Sequence, residues 1–200
     1  MYNNREDSNR YQSLNNFSKN FQIYAQKYGG IRNMITIRLL NEHDAEAYRE
    51  KRLEALENHP DVFSSSVEEE LQYSIEVHAS RLRAQNAYTF GAFKGDSLVG
   101  VVTLVTELKR KLKHRSDIFA MYVTSQVRRE GVGKRLMDAA IAKAKELDDV
   151  EQIYLTVSSN NMPAKLLYEA VGFITYGSDP RSMKIGDTYI GEDMMALYLK

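Results

Sequence analysis

The feature that most constrains this chain lies in its middle. The run Ser116–Thr124 (SDIFAMYVT) has the content of a strand, and QVRREGVG follows it directly, ahead of an Ala- and Leu-rich helical stretch that reaches Leu147. A strand that passes into a helix through Gly131-Val132-Gly133 leaves backbone N–H groups at a helix start, where they and the helix dipole favour an anion. Glycines spaced by one residue permit that turn without Cβ clashes. Arg128, Arg129 and Lys134 add charge suited to a pyrophosphate. Taken alone, a glycine pair at a helix start is as readily turn chemistry as a phosphate site. Two rivals fall away. A nucleoside-triphosphate loop needs Ser or Thr after its Lys, and Arg135 follows Lys134; a dinucleotide fingerprint needs a third glycine where Leu136 stands.

The flanking periodicities fix the rest of the order. Met34 opens MITIRLL, an alternating strand, and Asn41 is an N-cap for a helix with Ala45, Tyr48, Leu53 and Leu56 on its apolar face, stopped by Pro60. Ser66 and Glu69 form a capping box for a second helix, expected to carry Leu71, Ile75, His78 and Leu82 on one side. Ala87–Lys94 and Leu98–Leu108 read as strands around a Gly95-Asp96-Ser97 turn, and in Ser116–Thr124 strict alternation puts Ile118, Ala120, Tyr122 and Thr124 on one face. After the long helix come a strand at Glu151–Ser158, a helix capped by Asn161 and ended by Gly172, and closing strands at Phe173–Tyr176 and Thr188–Leu199. The order is β-α-α-β-β-β-α-β-α-β-β.

Residues 1–33 contain seven Asn, with two acids against five bases and no sustained period, so a poorly ordered extension is expected, with one folded domain over 34–200. Met34 is a candidate start, which makes the extension either native or a gene-reading artefact. Lys plus Arg and Asp plus Glu both number 27, which removes the broad electrostatic reason to expect nucleic-acid or anionic-membrane binding. The basic run KRKLKHR (109–115) reads as a solvated connection. There is no cysteine, so thiolate nucleophiles, disulfides and Cys-ligated zinc are excluded. His43, His59, His78 and His114 lack ligand spacing, so no metal is expected. The longest apolar stretch, Leu98 to Val105, is far shorter than the ~20 residues of a spanning helix, and the expected compartment is the cytoplasm.

Three segments taken together resemble the GNAT superfamily of acetyl-CoA-dependent N-acetyltransferases: MYV at 121–123, R-x-x-G-x-G at 128–133, and N-x-x-A-x-x-L-Y-x-x-x-G-F from Asn161 to Phe173. The resemblance covers about residues 34–200. It implies a mixed, mostly antiparallel twisted sheet with helices on both faces, in which the strand at Ile118–Thr124 splays from the one at Glu151–Ser158. It implies further that Met121, Tyr122 and Val123 meet the pantetheine arm of acetyl-CoA through their backbone. Arg128, Arg129, Glu130, Gly131, Val132, Gly133 and Lys134 would wrap the pyrophosphate, with Asn161 near the pantetheine and Tyr168 as general acid. Many members have Gly where Arg129 stands and a base where Glu130 stands. An acid beside phosphate is unfavourable unless it points to solvent.

The expected reaction is transfer of an acetyl group to a primary amine by direct attack in a ternary complex. The alternative is a catalytically silent module that binds acyl-CoA or a partner. A nucleic-acid binder is disfavoured by the zero net charge. Homodimers are frequent in the family. The acceptor amine, a small molecule or a peptide N-terminus, is not specified by the residues, although His59–Ser66 and Asp187–Glu192 are the segments expected to shape its pocket. The residues do not identify the general base: Asp117, Glu107, Glu192 and Asp193 lie on strands that could line the groove, and an ordered water chain could serve instead.

Overall fold

The computed structural model describes residues 34–200; the expectations for residues 1–33 lie outside the described residues. Strand β1 (Ile35–Leu39) leads through a 3-10 turn capped by Asn41 into α1 (Ala45–Asn58). Then come α2 (Val67–Leu71), α3 (Ile75–Leu82), β2 (Ala87–Lys94), β3 (Ser97–Thr106) and β4 (Arg115–Val123). The chain closes with α4 (Val132–Glu146), β5 (Gln152–Ser158), α5 (Met162–Ala170), β6 (Ile174–Ile185) and β7 (Thr188–Tyr198). The seven strands form one sheet in the order β1-β2-β3-β4-β5-β7-β6, antiparallel throughout except for β4 and β5.

Burial on two faces explains this layering. On one face, Val102, Leu104 and Ile153 of the sheet meet Leu136, Met137 and Ala140 of α4, and Tyr168 of α5 joins them. On the other, Val101, Leu98 and Tyr122 meet Tyr48 and Ala55 of α1 and Ala79 and Leu82 of α3. Each fully buried Leu or Ile contributes about 2 kcal/mol against exposure, so both helix layers are held by apolar area rather than by their ion pairs.

Three expectations are corrected. The second helix is two: the Ser66–Glu69 capping box starts α2 as read, but the helix breaks at Tyr73-Ser74, and α3 restarts after Ser74. Leu71 and Ile75 are consequently exposed, whereas His78 and Leu82 are buried. Strand β6 continues to Ile185, far beyond Tyr176, because its outer half pairs along β7 up to a tight turn at Gly186-Asp187 and needs no buried face to do so. The third correction bears on the site. Strict alternation in β4 fails at Ala120, whose φ is +52°. The register moves from Val101↔Tyr122 to Thr103↔Phe119, so β4 carries one extra residue there, a β-bulge. Ile118 therefore packs on the α4 side and Tyr122 on the α1 side, although their even spacing predicts a shared face.

Candidate active site

Parallel β4 and β5 pair only at Arg115↔Gln152, Ser116↔Ile153 and Asp117↔Tyr154. Beyond Asp117 they part. The N–H of Thr124 donates to Val99 O of β3 at 2.9 Å, so by the two-residue period of a strand Tyr122 also turns its backbone to β3. A Cβ added at Gly100 would lie 2.9 Å from Tyr122 O, which agrees with that orientation. Met121 and Val123 then point their N–H groups into the gap toward β5. Of the three residues expected to meet a pantetheine through their backbone, Tyr122 thus departs: its amide and carbonyl serve the sheet, and its hydroxyl donates to Glu54 of α1 at 3.0 Å.

A 3-10 turn at Ser125–Val127, anchored by buried Val127, carries the chain from β4 to the glycine loop. Arg128 Nε donates to Val123 O at 2.9 Å. Arg129 sits at φ +65° and Gly131 at φ +76°, left-handed conformations natural to glycine and strained for arginine. The first bond back into α4 runs from Arg135 N to Gly131 O, so the amides of Gly131, Val132, Gly133 and Lys134 lack intrahelical acceptors. The two glycines have different causes. A Cβ on Gly131 would meet nothing within 4 Å, whereas one on Gly133 would lie 3.1 Å from Leu167 Cδ2 and 3.3 Å from Met121 Cε. Gly131 serves the turn, and Gly133 lets α4 approach α5 and β4. Glu130 is exposed and its carboxylate faces Lys94 of β2 at 3.8 Å, off the cleft; among the loop residues 128–134 it alone does not line it. Lys134 pairs with Asp138 at 2.8 Å on an exposed helix face, a contact worth about 0.3–0.5 kcal/mol that an arriving anion can displace.

The cleft between these elements has a volume of about 1640 Å³ and runs on beneath α1, α2 and α3. Tyr168 and Asn161 both line it. Asn161 Oδ1 accepts from Ala164 N at 3.3 Å and so caps α5. Tyr168 is buried against Phe173, with ring centroids 6.1 Å apart, and burial pushes its pKa up to about 12.

At the other end the lining is side chains. His59 follows α1 and its Nε2 lies 2.7 Å from Arg128 Nη2. Because arginine only donates, the imidazole Nε2 is the acceptor there. Glu54 gathers Lys51, Thr124 Oγ1 (2.5 Å) and Tyr122, and these donors hold its carboxyl below the usual range despite burial. Phe63 lines the cleft and also packs on the smaller core cluster. From the segment 187–192, Glu192 lines it.

The four carboxylates named as bases are not brought together. Asp117 occupies the last paired position of β4, where burial raises its pKa, and neither it nor Glu107 lines the cleft. Asp193 accepts from Lys165 (2.5 Å), Ser178 (2.6 Å) and Ser159 (3.0 Å), which hold its pKa down to about 2. It is a fastener between β5, α5 and β6, too weak a base for proton abstraction. Glu192 does face the cleft, accepting from Ser182 at 2.5 Å. Sequence reasoning missed Glu70, Arg52 and Arg81, which α2, α1 and α3 bring to one point; no local spacing signals that meeting. Among the described residues there is no cluster of metal-binding side chains, and no helix is long and apolar enough to cross a membrane.

Comparison with known proteins agrees with this geometry. Residues 31–173, more than half of the chain, match the model of the acetyltransferase (GNAT) family. N-alpha-acetyltransferase 30 of Xenopus laevis is 29% identical over 102 residues, which are 51% of this chain and 37% of that protein. The chain thus spans little more than a third of the length of that relative. Among solved structures, an acetyltransferase of the GNAT family from Streptococcus pneumoniae superposes with a TM-score of 0.73 at 22% identity, covering 82% of this chain and 99% of that one. A Salmonella typhimurium protein solved with its cofactor acetyl-CoA gives a TM-score of 0.73 at 15% identity, over 84% and 95% of the two chains.

Proposed function

The chain belongs to the GNAT acetyltransferase family, and from that premise we propose that it moves the acetyl group of acetyl-CoA to a primary amine by direct attack. The observation that carries this reading is the parting of β4 from β5 after Asp117, with unpaired amides at Met121 and Val123 and four more at the start of α4. A thioester arm and a diphosphate are the chemistry such a row of donors fits. The amine class is supported by the N-alpha-acetyltransferase relative, and a peptide N-terminus is the first acceptor to test.

In this mechanism the amides of Gly131–Lys134, with Arg128 and Arg129, hold the diphosphate. The neutral amine attacks the thioester carbon. A C–N bond forms, and an amide directed into the gap at Met121 or Val123 donates to the oxygen that gains charge. The C–S bond then breaks, the amine loses its proton to water or to Glu192, and the thiolate takes a hydrogen bond from Tyr168. With Tyr168 near 12 and a thiol near 8.5, full proton transfer from the tyrosine is uphill by about 3–4 units, or about 4–5 kcal/mol. Tyr168 is therefore a hydrogen-bond donor that remains protonated at working pH, and the proton that makes the free thiol comes from solvent.

The test is thiol release from acetyl-CoA with a panel of peptides and small amines, run beside thermal unfolding with and without acetyl-CoA. Saturation at 100 times the dissociation constant should add about 2.7 kcal/mol of stability. Stabilisation without thiol release for any amine would leave the silent binding module instead.

A further inference from the structure

Resting on the acetyltransferase reading, we infer that Arg52 and Arg81 form a subsite for an anionic group, a carboxylate or a phosphate, carried by the acceptor amine. Three helices meet here. Glu70 of α2, with a side chain only 3% exposed, accepts from Arg81 Nη1 at 2.9 Å through Oε1 and from Arg52 Nε at 3.5 Å through Oε2. One carboxylate between two guanidiniums leaves a local excess of one positive charge. His78, whose Nδ1 lies 3.7 Å from Glu70 Oε1 and which is fully buried, adds none, because burial lowers its pKa and favours the neutral ring.

Both guanidiniums are pre-oriented by aromatic faces, Arg52 at 5.0 Å from the Phe63 centroid and Arg81 at 4.5 Å from that of Tyr73. The Nη groups of Arg52 and Nη2 of Arg81 donate to no acceptor among the described residues, and both side chains line the cleft that contains Tyr168. Two fixed forks with free N–H groups suit a planar or tetrahedral anion. The opposite assignment, a cationic group on Glu70, fails because both of its oxygens already face arginines and the side chain is closed to solvent. Of the other carboxylates lining the cleft, Glu69 is turned to the Ser66 cap and Glu192 to Ser182, while Asp61 stands in the loop after α1. Arg81 also borders a smaller, separate recess of about 260 Å³ beside Phe119 and the Ala120 bulge.

The experiment measures kcat/KM for C-terminally amidated, free-N-terminus tetrapeptides Ala-Xaa-Ala-Gly with Glu, phosphoserine, Gln or Lys second, and for the α-amides of free glutamate and glutamine, which separates a peptide side chain from a small amino acid as the source of the anion. Wild type should prefer an anionic acceptor over its Gln counterpart by about tenfold or more. Arg52→Gln and Arg81→Gln should each cut that ratio to about twofold or less while the acetyl-CoA dissociation constant holds. A ratio taken within one variant does not depend on how much of it is folded. Equal use of the Gln or Lys peptide by wild type, or an unchanged ratio in both variants, overturns the subsite and leaves the acetyltransferase reading standing. Transfer to no acceptor at all, with acetyl-CoA bound, overturns that reading itself.

Discussion

At the glycine-loop end of the cleft most of the groups on offer are main-chain amides, those of Met121, Val123 and the first turn of α4, with Arg128 and Arg129 beside them. At the helix end they are side chains, Arg52, Glu70 and Arg81, delivered by three separate helices and joined by hydrogen-bonded ion pairs. Main-chain donors are positioned by the fold and tolerate changes of residue, provided that the backbone path survives. Side-chain donors are specific, and each depends on one substitution-prone position. On the proposed function, a cleft made this way would keep one end for a common ligand and leave the other free to specialise.

Tyr168 stands between the two ends, and its removal gives the largest expected effect. If the hydroxyl donates to the departing thiolate as proposed, Tyr168→Phe should lower kcat by about 100-fold while the acetyl-CoA KM moves less than about threefold. Steady-state kinetics with a verified amine will check this. The same residue predicts an alkaline limb in stability. Its pKa is near 10 unfolded and about 12 folded, so its contribution is complete below pH 10 and disappears as pH rises to 12, a loss of about 3 kcal/mol. Buried Tyr48, also shifted upward by burial, shares that limb. Denaturant titrations from pH 8 to 12 should show a shallower decline for Tyr168→Phe; identical slopes would place the hydroxyl in water.

The contrast between backbone and side chain can be broken directly. Gly133→Val forces side-chain volume against Leu167 and Met121 and should weaken acetyl-CoA about tenfold by moving the α4 start. Val123→Ala keeps the amide and should change the same constant by less than about threefold. Calorimetry on the pair would reverse the comparison if Val123→Ala proved the more damaging. The smallest effect concerns Arg129, held at φ +65°: Arg129→Gly removes the left-handed strain and should raise stability by up to about 1 kcal/mol, read as a small rise in Tm without ligand.

What was legible in the sequence follows the same division. The glycine turn before α4 and the Asn161-capped helix ended by Gly172 are short contiguous patterns whose cause is local, so spacing located them, whereas the part given to MYV is what the family resemblance implies. The Ala120 bulge was hidden, because an extra residue in β4 depends on the register against β3 and leaves no composition signal. Its effect was to send Tyr122 to the α1 side and thereby remove it from the donors that face the gap. The break between α2 and α3 was hidden likewise: a continuous helical period ran through Leu71, Ile75 and His78, yet the turn at Tyr73-Ser74 leaves Leu71 and Ile75 exposed with Glu70 and His78 buried. Glu130 could be doubted from charge alone, and its partner Lys94 on a distant strand supplies the reason.

Amide hydrogen exchange with and without saturating acetyl-CoA tests the central claim most directly. Exchange at Met121, Val123 and Gly131 through Lys134 should slow at least about tenfold on binding, with Tyr122 already slow in the free protein because its N–H belongs to the sheet. Unchanged exchange at those amides in a protein that demonstrably binds acetyl-CoA would contradict the account.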